Sequence, residues 1–172
     1  YTLMHCAAEH GQLIIVEYLV PLLDDKNPKA GPIKYDDEDE LTQDQVTPLH
    51  LAAWAGHLPV IEFLVPHLKG DINPADGNGM TVLHDAAYFG HLNVVAYYTG
   101  ILDNPNPGVS NDDNRGWTPL HHAAQRGHLE VVKHFCNLLE DKNPSDDNGY
   151  TPLHRAAYNG HIDIVKYLVQ YL

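Results

Sequence analysis

Thirteen histidines in 172 residues make metal binding the first chemistry to test. Imidazole nitrogen is a good zinc ligand, but a site needs three or four donors at workable spacing. No cysteine pair or carboxylate recurs beside these histidines in that way. Nine of them instead fall into two series with shared neighbours: His5, His50, His84, His121 and His154, then His57, His91, His128 and His161. That regularity predicts structural histidines. The acidic run Asp36-Asp37-Glu38-Asp39-Glu40 lacks the alternating ligands and central glycine of a calcium loop. It reads as a solvated insertion, with a contact for a basic partner as its alternative. Cys6 has His5 and His10 nearby, yet a helix-borne cysteine at a repeating position reads as a packing residue rather than a nucleophile. There is no glycine-rich phosphate loop and no Gly-x-Ser-x-Gly elbow. The expectation is a chain with no catalytic residue, no metal and no cofactor.

Bulk properties narrow the partners. With 23 acidic against 10 basic residues the formal charge is −13, a field that repels nucleic-acid phosphates and anionic lipid heads. No apolar run approaches the roughly 18 residues that a membrane span requires. No signal peptide is visible, and because the chain opens at Tyr1 the expectation is that its true start lies upstream. Two cysteines in different repeats cannot form a secreted disulfide framework, which points to the cytosol or nucleus.

The elements that carry the histidines are copies of one unit. Thr47-Pro48-Leu49-His50 recurs as Thr118-Pro119-Leu120-His121 and Thr151-Pro152-Leu153-His154, with weaker copies at Thr2-Leu3-Met4-His5 and Thr81-Val82-Leu83-His84. An Ala-Ala pair follows each histidine (Ala7-Ala8, Ala52-Ala53, Ala86-Ala87, Ala123-Ala124, Ala156-Ala157), then a glycine: Gly11, Gly56, Gly90, Gly127 and Gly160. Threonine suits a helix N-cap and proline the first helical position. The alanines keep one helix face thin, and the glycine ends the helix in the left-handed conformation. A second helix follows, with β-branched pairs such as Val131-Val132 and Ile164-Val165 at helical spacing. Asp147-Asn148-Gly149 reads as a hairpin tip. The predicted unit is helix, turn, helix, hairpin.

On these motifs the chain resembles the ankyrin-repeat family over essentially its whole length. The resemblance implies an all-α solenoid of stacked helix-turn-helix units with short β-hairpin or loop connections. It also implies a concave groove lined by hairpins and first helices, and hydrogen bonds from the Thr-Pro-Leu-His histidines that hold the turn. One domain of five repeats is expected, with boundaries at 1–28, 29–74, 75–107, 108–144 and 145–172, the first lacking its hairpin. Threonine spacings of 45, 34, 37 and 33 place extra residues within Lys29 to Val46 and around Gly108 to Asn111. The usual Gly-Ala after the second helix is absent, leaving those helix ends undefined. Neither end reads as a polar cap, so a portion of a longer array is expected. Asn27, Asn73 and Asn143 precede the hairpin prolines; the resemblance offers asparaginyl hydroxylation there, on a loose match.

The function implied by the resemblance is a monomeric scaffold that binds a partner protein in its groove, with a structural spacer or intramolecular docking segment as the alternative. The variable, groove-facing columns hold Trp54, Met80, Tyr88, Phe89, Trp117, Gln125, Arg126, Tyr150 and Tyr158, flanked by Arg115, Arg126 and Arg155. Their chemistry suits interface anchors. Packing of the same rings on one another, stiffening the array, is the competing reading.

Overall fold

A computed structural model of the protein describes residues 1–31, 44–109 and 116–171. The acidic run Asp36–Glu40 and Arg115 lie outside the described residues. The chain divides into two compact units, Tyr1–Val82 and Leu83–Leu172. Among the described residues there are ten α-helices and no strand beyond a single antiparallel bridge, Ala75 with Thr81.

The first unit contains α1 (Leu3–Glu9), α2 (Leu13–Leu19), α3 (Pro48–Trp54) and α4 (Leu58–Leu64). Helices α1 and α3 pack side by side, as do α2 and α4. α5 (Val82–Phe89) begins on the last residue of that unit. The second unit continues with α6 (Leu92–Ile101), α7 (Pro119–Arg126), α8 (Leu129–Leu138), α9 (Pro152–Tyr158) and α10 (Ile162–Leu168). There α7 packs on α9 and α8 on α6 and α10.

The start of each first helix follows from its sequence. Thr47, Thr118 and Thr151 sit in extended conformation (φ near −110°, ψ 164° to 166°) as N-caps, with proline at the first helical position. The histidine three residues on closes the cap. The backbone N–H of Thr47 donates to Nδ1 of His50 at 3.2 Å, and the threonine hydroxyl lies 2.8 Å from the same nitrogen. The same pair forms at Thr2–His5, Thr118–His121 and Thr151–His154. Because Nδ1 accepts, the ring proton sits on Nε2, and that N–H donates onward to a carbonyl of the following repeat. His5 reaches Val46 at 3.1 Å, His50 reaches Met80 at 3.3 Å, His84 reaches Trp117 at 3.2 Å and His121 reaches Tyr150 at 3.1 Å.

The second series runs the opposite way. His57, His128 and His161 each donate from Nε2 to a carbonyl of the preceding repeat's first helix: Glu9 at 3.1 Å, Tyr88 at 2.9 Å and Gln125 at 2.8 Å. Gly127 shows what this demands. Its φ is +83°, and a Cβ there would stand 2.8 Å from the His161 ring. Glycine is therefore fixed both by backbone conformation and by the approaching imidazole.

The undefined helix ends take two forms, a 3-10 turn or a longer α-helix. Pro21 and Pro66 lie in short 3-10 turns, Val20–Leu22 and Val65–His67, that follow α2 and α4; α10 ends in the same way at Val169–Tyr171 with no proline. Helices α6 and α8 instead run ten residues each. One expectation is corrected: Cys6 is exposed, not packed. The buried thiol is Cys136, pushed up to about 11 by burial.

Burial holds His50 and His121 down at about 4, and lowers His5 as well. Between pH 6.5 and about 4 the unfolded chain therefore binds protons that the folded chain refuses. The stabilisation is fully present above 6.5 and falls as pH drops across that window, by about 3 kcal/mol per residue at most. Denaturant titrations should show the midpoint falling from pH 7 to pH 4.5. A midpoint that holds steady over that range would contradict the neutral-imidazole account.

Candidate functional site

Each unit carries a polar tip built on a buried aspartate, Asp76 in the first and Asp146 in the second. In the second, Asp146 Oδ1 accepts from the backbone N–H of Asn148 (2.9 Å) and Tyr150 (2.8 Å). Asp146 N–H donates to the Tyr150 carbonyl at 2.8 Å, so one buried carboxylate builds the whole turn. Asp76 does the same for Asn78 and Met80. The other Asp146 oxygen accepts from Arg155 Nη2 at 2.6 Å. Burial pushes the Asp146 carboxyl up, but the Arg155 bond and the two amides outweigh it and hold it below its usual value.

Arg155 is thereby aimed across the aromatic column. Its guanidinium lies 3.9 Å above the Trp117 ring and 4.7 Å from that of Tyr150, within range for cation–π attraction. Trp117 next meets the His122 ring at 5.1 Å, and His122 meets Tyr88 at 5.8 Å, edge to face. Tyr88 contacts Phe89 at 5.0 Å and carries the Arg126 guanidinium 4.4 Å above its face. Phe89, Tyr88, His122, Trp117, Arg155 and Tyr150 thus form one unbroken chain of stacked or edge-on groups within the second unit.

The members differ in access. Tyr158 is 90% exposed, Tyr150 50% and Phe89 44%, whereas Trp117 is 7% exposed. Arg126 is exposed; Tyr88, Gln125 and Arg155 are half-buried. In the first unit, Trp54 and Met80 are half-buried. Of the sequence-predicted residues of the second unit, Tyr88, Phe89, Trp117, Arg126, Tyr150 and Arg155 are brought together, with Trp117 as floor and Arg155 above it rather than at the margin.

His122 was not singled out by its sequence position. It is buried, and neither ring nitrogen has a hydrogen-bond partner among the described residues. Burial, with His84, His121 and Arg155 nearby, holds it well below its usual value, so it serves as a neutral flat ring between Trp117 and Tyr88. The column that would have revealed it is the residue after each Thr-Pro-Leu-His histidine, which reads Cys6, Leu51, Asp85, His122 and Arg155.

The pre-proline asparagines also have a defined role. The Asn27 and Asn143 side-chain oxygens accept the backbone N–H of Leu49 (3.1 Å) and Leu153 (3.0 Å), tying each turn to the next first helix. Asn106 does this for Leu120. Among the described residues no three His, Cys, Asp or Glu side chains converge to hold a metal ion, and no helix is long and apolar enough to cross a membrane.

The family profile described as ankyrin repeats (3 copies) matches residues 3–99 and 99–171. The chain belongs to the ankyrin-repeat family. No curated protein matches its sequence. Ankyrin repeats are in general protein–protein interaction modules, and the all-helical architecture of this ankyrin chain agrees with the helix-turn-helix stacking of the family.

Arg155→Ala removes the cover of Trp117 and strands a buried Asp146 oxygen, which should cost about 2–4 kcal/mol. Tryptophan emission should shift to the red. Arg155→Lys keeps the charge but not the flat stacking group and should recover only part of the loss. Denaturant unfolding followed by fluorescence reads both; wild-type stability in Arg155→Ala would refute the assignment.

Proposed function

We propose that this ankyrin chain is a protein-interaction scaffold of the cytosol or nucleus, and that the ring-and-arginine surface of Leu83–Leu172 is a contact for its protein partner. The supporting observation is the continuous chain from Phe89 to Tyr150, with its rim exposed and Trp117 held beneath Arg155. Large exposed rings beside arginine have the composition of binding hot spots. Because Asp146 and Arg155 fix the geometry beforehand, little ordering cost falls on association.

Tyr88, Phe89, Arg126, Tyr150, Arg155 and Tyr158 are the contacts we assign in this unit, with Gln125 beside Arg126 and Trp117 as support. Trp54 and Met80 occupy the equivalent columns of the first unit and are assigned on that basis. Arg115 is assigned by its place two residues before Trp117 in sequence. No catalytic role is included.

One observation favours the structural alternative, a spacer or intramolecular docking segment: Trp117 is buried under Arg155, as expected if the rings serve mainly to stiffen the stack. Affinity capture from cell extract separates the two readings. The comparison is between the native chain and a folded variant carrying Phe89→Ala, Arg126→Ala and Tyr158→Ala, three positions whose exposure spares the core. A protein retained by the native chain and lost from the variant supports the assignment. Equal recovery by both places the contact elsewhere, and recovery of nothing favours the spacer.

A further inference from the structure

The two described arginines make an internal comparison within the second unit. Each reaches back one repeat and lays its guanidinium on an aromatic face: Arg155 lies 3.9 Å from the Trp117 ring and Arg126 4.4 Å from the Tyr88 ring. A flat guanidinium stacked in this way keeps its N–H donors at the edge, where a carboxylate accepts them side by side. For Arg155 the chain supplies that carboxylate itself, with Asp146 Oδ2 at 2.6 Å from Nη2. For Arg126 it supplies none. Arg126 is exposed and makes no hydrogen bond or ion pair among the described residues. With 23 acidic residues in the chain, that vacancy is not for want of carboxylates.

The backbone on both sides of Arg126 is pinned. The Gln125 carbonyl accepts from His161 Nε2 at 2.8 Å. His128 Nε2 donates at 2.9 Å to the carbonyl of Tyr88, the residue whose ring Arg126 covers. The Tyr88 ring is held in turn, edge to face against Phe89 at 5.0 Å and against buried His122 at 5.8 Å. The guanidinium is therefore placed on a fixed platform before any contact forms, which limits the ordering cost of pairing it. Phe89 stands on the same platform, 44% exposed. Neither position is a feature of a chain end: the residue before the interhelix glycine is exposed in every repeat, at His10, Ala55, Phe89, Arg126 and Asn159.

We propose, building on the reading that this surface contacts a protein partner, that Arg126 is its specificity-determining residue. The partner presents an aspartate or glutamate to Arg126, flanked by an apolar side chain that packs on Phe89. Asp146 on Arg155 shows the pairing chemistry that such a stacked guanidinium takes. The chain's charge of −13 penalises an approaching segment in proportion to its negative charge. That selects a single carboxylate in an otherwise uncharged segment over a polyanion.

Selection from a display library of short random peptides on the native chain tests this. The recovered peptides should share an Asp or Glu beside an apolar residue. Replacing that acid by its amide, or Arg126→Gln in the protein, should weaken binding at least about tenfold, and both together no further than either alone. Arg126→Glu should lose the selected peptide and regain binding once its acid is replaced by lysine. Both Arg126 and Phe89 are exposed, so circular dichroism should show the fold unchanged in every variant. Peptides with no shared acid, or binding that Arg126→Gln leaves intact, overturn the proposal. If Phe89→Ala still abolishes that binding, the surface stands as the contact and only the carboxylate is lost. If neither substitution matters, the contact lies elsewhere and both readings fall. A native chain that retains no peptide also overturns the proposal.

Discussion

The structure depends on a single imidazole with its two nitrogens assigned opposite duties. Nδ1 accepts from the threonine cap of its own helix, and Nε2 donates to the next repeat's backbone, as His121 does toward Tyr150. One neutral ring therefore fixes a helix start and an inter-repeat register at once. Burial strengthens both bonds and resists the protonation that would remove the acceptor. The second series, typified by His161 on Gly127 and the Gln125 carbonyl, ties the repeats along a separate line.

The candidate surface inherits its geometry from these rings. The carbonyls that receive the Nε2 donors belong to Val46, Met80, Trp117 and Tyr150, the residues before each threonine. Two of them, Trp117 and Tyr150, carry the rings under Arg155. The bond that holds the stack together thus also sets the backbone of the proposed contact. Asp146 adds the second constraint by shaping the tip and aiming the guanidinium.

Much of this was legible in the sequence because each feature is backbone chemistry repeated in register. Threonine caps, helix-starting prolines, the thin Ala-Ala face and the left-handed glycines all stand where their residue types require. What escaped was decided by neighbours. Whether the residue after a Thr-Pro-Leu-His histidine is exposed like Cys6, an orphaned ring like His122 or an arginine clamp like Arg155 depends on what covers it, and that column has no consensus type. Trp117 likewise stands in an exposed-looking column but is covered by a side chain 38 positions later. The asparagine caps had a signal in the Asn-Pro steps, yet their partners lie 10 to 22 residues away.

Nitrogen-15 correlation spectra of the histidine side chains at neutral pH test the central claim most directly. His5, His50, His84 and His121 should appear as neutral rings protonated at Nε2, with Nδ1 at the shift of a hydrogen-bond acceptor. Rings protonated at Nδ1, or averaging between tautomers, would contradict the claim that these histidines lock each helix cap to the next repeat.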